Sequence, residues 1–411
     1  MTVEAESVRL RNGWERATAP RVIGFGGIAL GALSFWLALP PVHTRAPYVP
    51  IAVGIVAVAA GIWAASRGER RVGWGGVAAG ILGIAGGVLA TRSSVTNLEI
   101  VVVWSALVSA TLRSATPLIY AAIGGMFSER SGVVNIGLEG MMLMGAFFGA
   151  WGADKTDSWE GGLVIAMAAG GALALVHAFF AIHLRADQIV GGTAINFLAL
   201  GITGYLYIDI YGEQGTPTNL AAIPDVNFSW LSHIPPHGLG RFLDDAFGGL
   251  NLMVWLSFAL LIVSYIVMFR TPIGLRIRSV GEHPRAADTV GIPVYRMRYG
   301  AVVVSGVLAS LGGAYLSIGF NHSFTENMTA GRGFIALAAL IFGGWRPLGA
   351  FGATLLFGFS SALALRLPSA YGPSAGTLFS ALPYVLTLIA VAGVIGRSIP
   401  PAAIGRPYQK Q

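Results

Sequence analysis

The sequence predicts an all-α integral membrane protein, a polytopic helical bundle of about 12 spans with one broken or re-entrant helix. Three observations carry this. Of 411 residues, 55% are hydrophobic and only 11% are charged, where a soluble domain carries about 25% charged residues. The apolar runs are roughly 18–24 residues long, enough to cross about 30 Å of hydrocarbon. Alternating strands of the barrel type are not seen. The chain has no cysteine, which excludes disulfides and thiolate-held metals.

The first twenty-one residues are polar and carry Arg9, Arg11, Arg16 and Arg21. The apolar run Val22–Leu39 follows. It is long for the core of a signal peptide, and "ALPP" is a poor cleavage site, so it reads as a retained first helix. Twelve apolar segments are expected, at 22–40, 48–65, 72–90, 100–123, 133–153, 161–182, 188–211, 250–269, 299–320, 333–345, 347–367 and 376–396. The tenth is too short to cross alone, and such a piece is tolerated only when buried against protein. The fourth has Arg113 in its middle and Pro117 just after. Either it is one span, or an interfacial helix near 98–112 precedes a span that starts after Arg113.

Arginine placement sets the orientation. With the N-terminus in the cytoplasm, 19 of the 26 basic residues fall on the inner side. The largest outer loop, 212–249, holds Glu213, Asp225, Asp244 and Asp245 against Arg241 alone. Both termini are therefore expected in the cytoplasm. The net charge of +7 reads as this asymmetry, with no nucleic-acid partner implied. Residues 1–98 supply three plain spans without a polar residue that demands a partner. Residues 99–411 hold every informative motif. Within them, 132–151 and 331–350 echo one another in glycine placement, as inverted repeats of transporters do.

No P-loop, no H-E-x-x-H and no nucleophilic serine elbow occurs, so this chain is not expected to be an enzyme. Its seven histidines are scattered, and His177 on an apolar helix reads as a hydrogen-bonded packing residue.

In "ERSGVVNIGLEGMML", Asn135 and Glu139 are four apart and would share a helical face. A carboxylate at that depth costs at least about 2.5–3.5 kcal/mol unless it is paired, protonated or facing water. Gly132, Gly137, Gly140, Gly145 and Gly149 admit close helix packing. Two roles stay open for Asn135 and Glu139, a buried clamp between helices or a place on a translocation pathway. In "DQIVGGTAINFLALGITGYLY", Thr193 and Asn196 lie on one side of a helix. They either bond across helices or line the pathway.

The loop "TPIGLRIRSVGEHPRAADTVGIPVYRMR" carries its own helix punctuation. Pro284 suits the first helical position, Gly291 suits the left-handed position past the end, and Pro293 blocks continuation. A two-turn helix is expected between them. So short a helix is marginal in water and must be docked. Ala286 and Ala287 would leave one of its surfaces open to another protein.

"GEHPRAADTVGI" resembles the coupling-helix segment of ATP-binding cassette importer permeases of the simple sugar and nucleoside subfamily, related to branched-chain amino acid permeases. "ERSGVVNIGLEGMML" and "DQIVGGTAINFLALGITGYLY" resemble two further motifs of that subfamily, in the same order and spacing. The resemblance covers roughly 100–400, and the first three spans depart from it. It implies that Glu282, Pro284, Arg285, Ala286, Ala287 and Gly291 couple the chain to an ATPase. It also implies a second permease subunit, an extracytoplasmic substrate-binding lipoprotein and a bacterial cell membrane. ATP and magnesium would be used by the ATPase, with no cofactor held by this chain. The "NIGLEG" form points to nucleosides, with a simple sugar as alternative. From another class, an ion-coupled secondary transporter would use Glu139 as its ion site.

Overall fold

The computed structural model describes residues 19–38, 48–92, 103–217, 219–234, 237–366 and 399–410. The chain forms two compact units, Met1–Val103 with Val385–Gly396, and Trp104–Tyr384 with Arg397–Gln411. The expected span 376–396 lies outside the described residues.

In the first unit three helices pack on one another, α1 (Ala19–Ala38), α2 (Tyr48–Ser66) and α3 (Arg70–Arg92). Small residues bring their backbones together. A Cβ on Gly80 would stand 2.7 Å from the Gly54 carbonyl oxygen, and one on Gly61 would stand 2.6 Å from the Val77 nitrogen. Ser34 is buried and donates to the Pro50 carbonyl at 2.6 Å, so these helices do hold one partnered polar group.

The second unit is built from α4 (Trp104–Arg130), α5 (Leu138–Thr156), α6 (Trp159–Ala178) and α7 (Gln188–Tyr211). After an excursion with α8 (His237–Phe247) come α9 (Leu252–Arg270), α10 (Pro272–Glu282), α11 (Pro284–Thr289) and α12 (Val294–Ala314). The short α13 (Arg332–Phe342) and α14 (Pro347–Arg366) follow. α6 and α12 run on as π-helical segments, Phe179–His183 and Tyr315–Asn321. The excursion is closed by two short antiparallel strands, β1 (Asp225–Asn227) and β2 (Gly249–Asn251).

Among the described residues seven helices are long and apolar enough to cross a membrane: α2, α4, α6, α7, α9, α12 and α14. Buried residues make up 67% of the apolar window of α4 and 72% of that of α12, against 28% for α7 and α9. The first two therefore form the centre of the unit. α5 packs on α12 without intervening side chains. A Cβ on Gly145 would overlap the Ser310 backbone, and one on Gly313 would overlap the Met142 carbonyl.

α4 is one continuous helix through Pro117, which removes the reading of an interfacial helix followed by a new span. A proline leaves the carbonyl four residues earlier without its helical donor. Here that carbonyl belongs to Arg113, and the Tyr315 hydroxyl donates to it at 3.2 Å. The Arg113 guanidinium bonds the Gly249 carbonyl in β2. It thus lies toward the end of the helix that meets the 212–251 segment, not at mid-span.

α5 begins at Leu138, so the expected span start at 133 is corrected. Residues 131–137 form a non-helical break, with Gly132 at φ +90°. Asn135 and Glu139 consequently do not share a helical face: Asn135 lies in the break and Glu139 in the first turn of α5. A second irregular stretch surrounds α13. His322, Asn327, Ala330 and Trp345 there adopt left-handed backbone without being glycine.

Candidate functional site

The break at 131–137 and the start of α13 meet at Glu139. This carboxylate is buried, and three donors converge on it. Thr329 Oγ1 donates to Oε1 at 2.6 Å, the Gly331 N–H to Oε1 at 2.8 Å, and the Gly333 N–H to Oε2 at 2.6 Å. The first N–H groups of a helix have no partner within it, and the helix dipole places partial positive charge there. Glu139 is therefore the N-terminal cap of α13, supplied from another helix 194 residues away in sequence. Gly333 makes the approach possible, since a Cβ there would lie 2.5 Å from the Glu139 backbone.

The other end of α13 is held by the residues before the break. Trp345 Nε1 donates to Glu129 Oε2 at 2.5 Å, and Arg130 Nε donates to the Trp345 carbonyl at 2.9 Å. Glu129 is 2% exposed. Two carboxylates flanking one break thus fix both ends of one 11-residue helix. The two segments that echo one another in glycine placement are in direct contact.

Asn196 closes the break from α7. Its Oδ1 accepts the Gly140 N–H at 2.8 Å, and its Nδ2 donates to the Ile136 carbonyl at 3.0 Å. Asn135 points the other way, its Nδ2 donating to Ser305 Oγ on α12 at 2.9 Å. Its Oδ1 is buried with no hydrogen-bond partner among the described residues. His177, which the sequence marks as a packing residue, is buried with Nε2 3.1 Å from the Val134 carbonyl. Thr193 is exposed, and its hydroxyl bonds only the Ile189 carbonyl of its own helix at 2.9 Å. The structure thus brings Asn135, Glu139 and Asn196 together around one break and leaves Thr193 outside. Glu129, Thr329 and Trp345 belong to the same assembly. Sequence reasoning missed them, although the buried-looking Glu129 beside the "NIGLEG" segment was a usable signal.

The coupling candidates form a separate surface. α11 starts with Pro284 at its first turn and is followed by Gly291 at φ +82°, as the punctuation predicts. Glu282, Arg285 and Ala286 are exposed and Pro284 is half-buried. Ala287 is not on the open face. It is 3% exposed and packs with Val280, Val294 and Tyr408. The expectation that both alanines leave the helix surface open is corrected, since only Ala286 is exposed. The reason is a contact that local sequence does not contain, since Tyr408 comes from 121 residues further on. Tyr408 is buried; burial first, then the neighbouring Asp288, raises its pKa to about 12.

Among the described residues no cluster of metal-ligating side chains occurs. The assembly joins helix ends and the break through side-chain and backbone bonds, with Asn135 Oδ1 left without a partner among the described residues.

Comparison with known proteins gives the family. Residues 107–391 match the family described as branched-chain amino acid transport system permease component. The chain is 45% identical over 322 residues to the guanosine ABC transporter permease protein NupQ of Bacillus subtilis, covering 76% of this chain and 99% of that protein. It is 40% identical over 305 residues to the nucleoside ABC transporter permease protein NupC of Lactococcus lactis, covering 72% and 94%. A putative glucose ABC transporter permease protein of Haloferax volcanii is 37% identical over 267 residues, covering 64% and 78%. The two bacteria also have NupP and NupB, permeases that are each 23% identical to this chain. No solved structure matches. With a family match over most of its length, the chain belongs to the permease-component family of branched-chain amino acid transport systems.

Proposed function

We propose that this chain is the permease subunit of an ATP-driven importer that carries nucleosides across the bacterial cell membrane into the cytoplasm. The observation that carries the reading is 45% identity to a guanosine permease along 99% of that protein. The chain supplies the path and the docking helix α11, and an ABC ATPase subunit hydrolyses ATP with magnesium. A second permease subunit completes the path. The pairing of NupQ with NupP and of NupC with NupB in the same organisms supports this. An extracytoplasmic lipoprotein delivers the substrate.

In this reading residues 1–98 are an added three-span segment and 99–411 the permease core. The full count is twelve spans with both termini cytoplasmic, which the arginine distribution supports. α13, at 11 residues, is about 16 Å long. It enters and leaves as a half-helix, its polar ends satisfied by Glu139 and by the Trp345 turn. Asn135, Glu139 and Asn196 act as the clamp around the break. The complete set of donors on Glu139 favours this over an ion site. Thr193, exposed on α7, is the one of the four that is free to meet substrate.

The experiment is uptake of labelled adenosine, uridine, guanosine and ribose into cells lacking the gene, with and without its restoration. Nucleoside uptake should return. Ribose or glucose uptake alone would move the assignment to a simple sugar, the activity named for the Haloferax relative. Uptake that survives ATP depletion but not collapse of the ion gradient would replace the ATP-driven reading with an ion-coupled one.

A further inference from the structure

Residues 399–410 run beside α11, bonded to the end of α10, to the break before α5 and to α12, and touching α11 through Tyr408. The Ala403 N–H donates to the Gly281 carbonyl at 2.9 Å, and the Ala402 N–H donates to Glu282 Oε2 at 3.1 Å. The Gly405 N–H donates to the Gly132 carbonyl at 3.1 Å, in the break before α5. Arg298, 1% exposed, donates from Nη1 to the Arg406 carbonyl at 3.1 Å. Tyr408 lies on Ala287 from below. α11 has only six residues and cannot hold its place alone. This segment is what supports it.

Between α11 and the segment lies a cleft of roughly 670 Å³, with Glu282, Arg285 and Ala286 on one wall and Arg406, Pro407 and Gln409 on the other. The charges are not balanced. Arg285, Arg406 and Lys410 are exposed. Two carboxylates are nearby, Glu282, which accepts the Ala402 N–H, and Asp288. With Arg285, Arg406 and Lys410 against Glu282 and Asp288, the face is net cationic, which fits a partner element that presents carboxylates.

We propose that residues 399–410 form the second half of the surface on which the ATP-hydrolysing subunit seats, through an acidic element received between α11 and Arg406. The proposal rests on the reading that this subunit docks at α11. It adds a route for the motion. Through Gly405 and Gly132, a displacement of the seated surface reaches the break that precedes Glu139, without first passing through a membrane helix.

The cysteine-free chain permits a clean test. Ala286→Cys and Arg406→Cys are introduced singly into the assembled transporter and labelled with a photoreactive maleimide. Both positions should form adducts with the ATPase subunit. Adducts from Ala286→Cys but not from Arg406→Cys would overturn the proposal and leave α11 docking intact. Adducts from neither would overturn both. As a second measurement, Arg406→Glu with Lys410→Glu changes only exposed side chains. It should weaken association with the ATPase at least tenfold at low salt, with the deficit shrinking as salt rises. Unchanged association would overturn the acidic occupant.

Discussion

Gly333 donates its backbone N–H to Glu139 at 2.6 Å, and the Glu139 Cα occupies the space 2.5 Å from where a Gly333 side chain would begin. Contact and glycine are one requirement. Gly333→Ala is expected to lower stability in detergent by about 1–3 kcal/mol through overpacking. Gly352→Ala on α14, where a Cβ meets open space, should be neutral or stabilising by up to about 1 kcal/mol. Thermal melts of the two variants check this.

Glu139 separates the clamp from an ion site. Glutamine keeps one acceptor oxygen but turns an NH₂ group toward a backbone donor, so Glu139→Gln should lose about 1–3 kcal/mol. Glu139→Ala removes all three bonds and should lose more. Uptake by the glutamine variant should persist at low temperature, in proportion to folded protein. An ion site predicts the reverse, full stability with no uptake.

The two alanines of α11 should now behave differently. Ala287→Arg forces a long charged side chain against Tyr408 and Val280, so it should lower stability and folded yield by more than about 2 kcal/mol. Ala286→Arg alters an exposed position and should stay within about 0.5 kcal/mol of wild type, while reducing capture of the ATPase. Melting temperature and copurification, measured on both, distinguish packing from docking.

The bond from Tyr315 to Arg113 predicts a coupling. Tyr315→Phe should cost about 1–3 kcal/mol, because it strands the carbonyl that Pro117 leaves without a donor. Pro117→Ala restores a backbone N–H to that carbonyl. In the Pro117→Ala background, Tyr315→Phe should therefore cost measurably less, and a double-mutant cycle reads the difference.

Hydrophobic runs and proline and glycine punctuation made much of this legible. Span 188–211 matches α7 to the residue, and Pro284 and Gly291 bracket α11. These features depend on neighbours a few positions apart. The break before α5 was not legible, because "VVNIGL" is apolar enough to extend a span and its stabilising partners are remote. Asn196 is 56 residues from Gly140, and the Glu139 donors are 190 or more residues away. The pairing of Glu129 with Trp345 and the burial of Ala287 under Tyr408 are hidden for the same reason. A window along the sequence sees a residue's cost of burial, but not the distant group that offsets it.

The left-handed residues around α13 have a consequence for how this helix can respond to force. Each non-glycine residue in that conformation sits about 1–2 kcal/mol above its right-handed alternative, and four of the six such residues among the described ones fall at 322, 327, 330 and 345. The two connections of α13 are therefore loaded springs, while its two ends are latched by Glu139 and Glu129. Release of either latch would let the adjoining connection relax. The bonds that hold the two ends of α13 are what offset that cost.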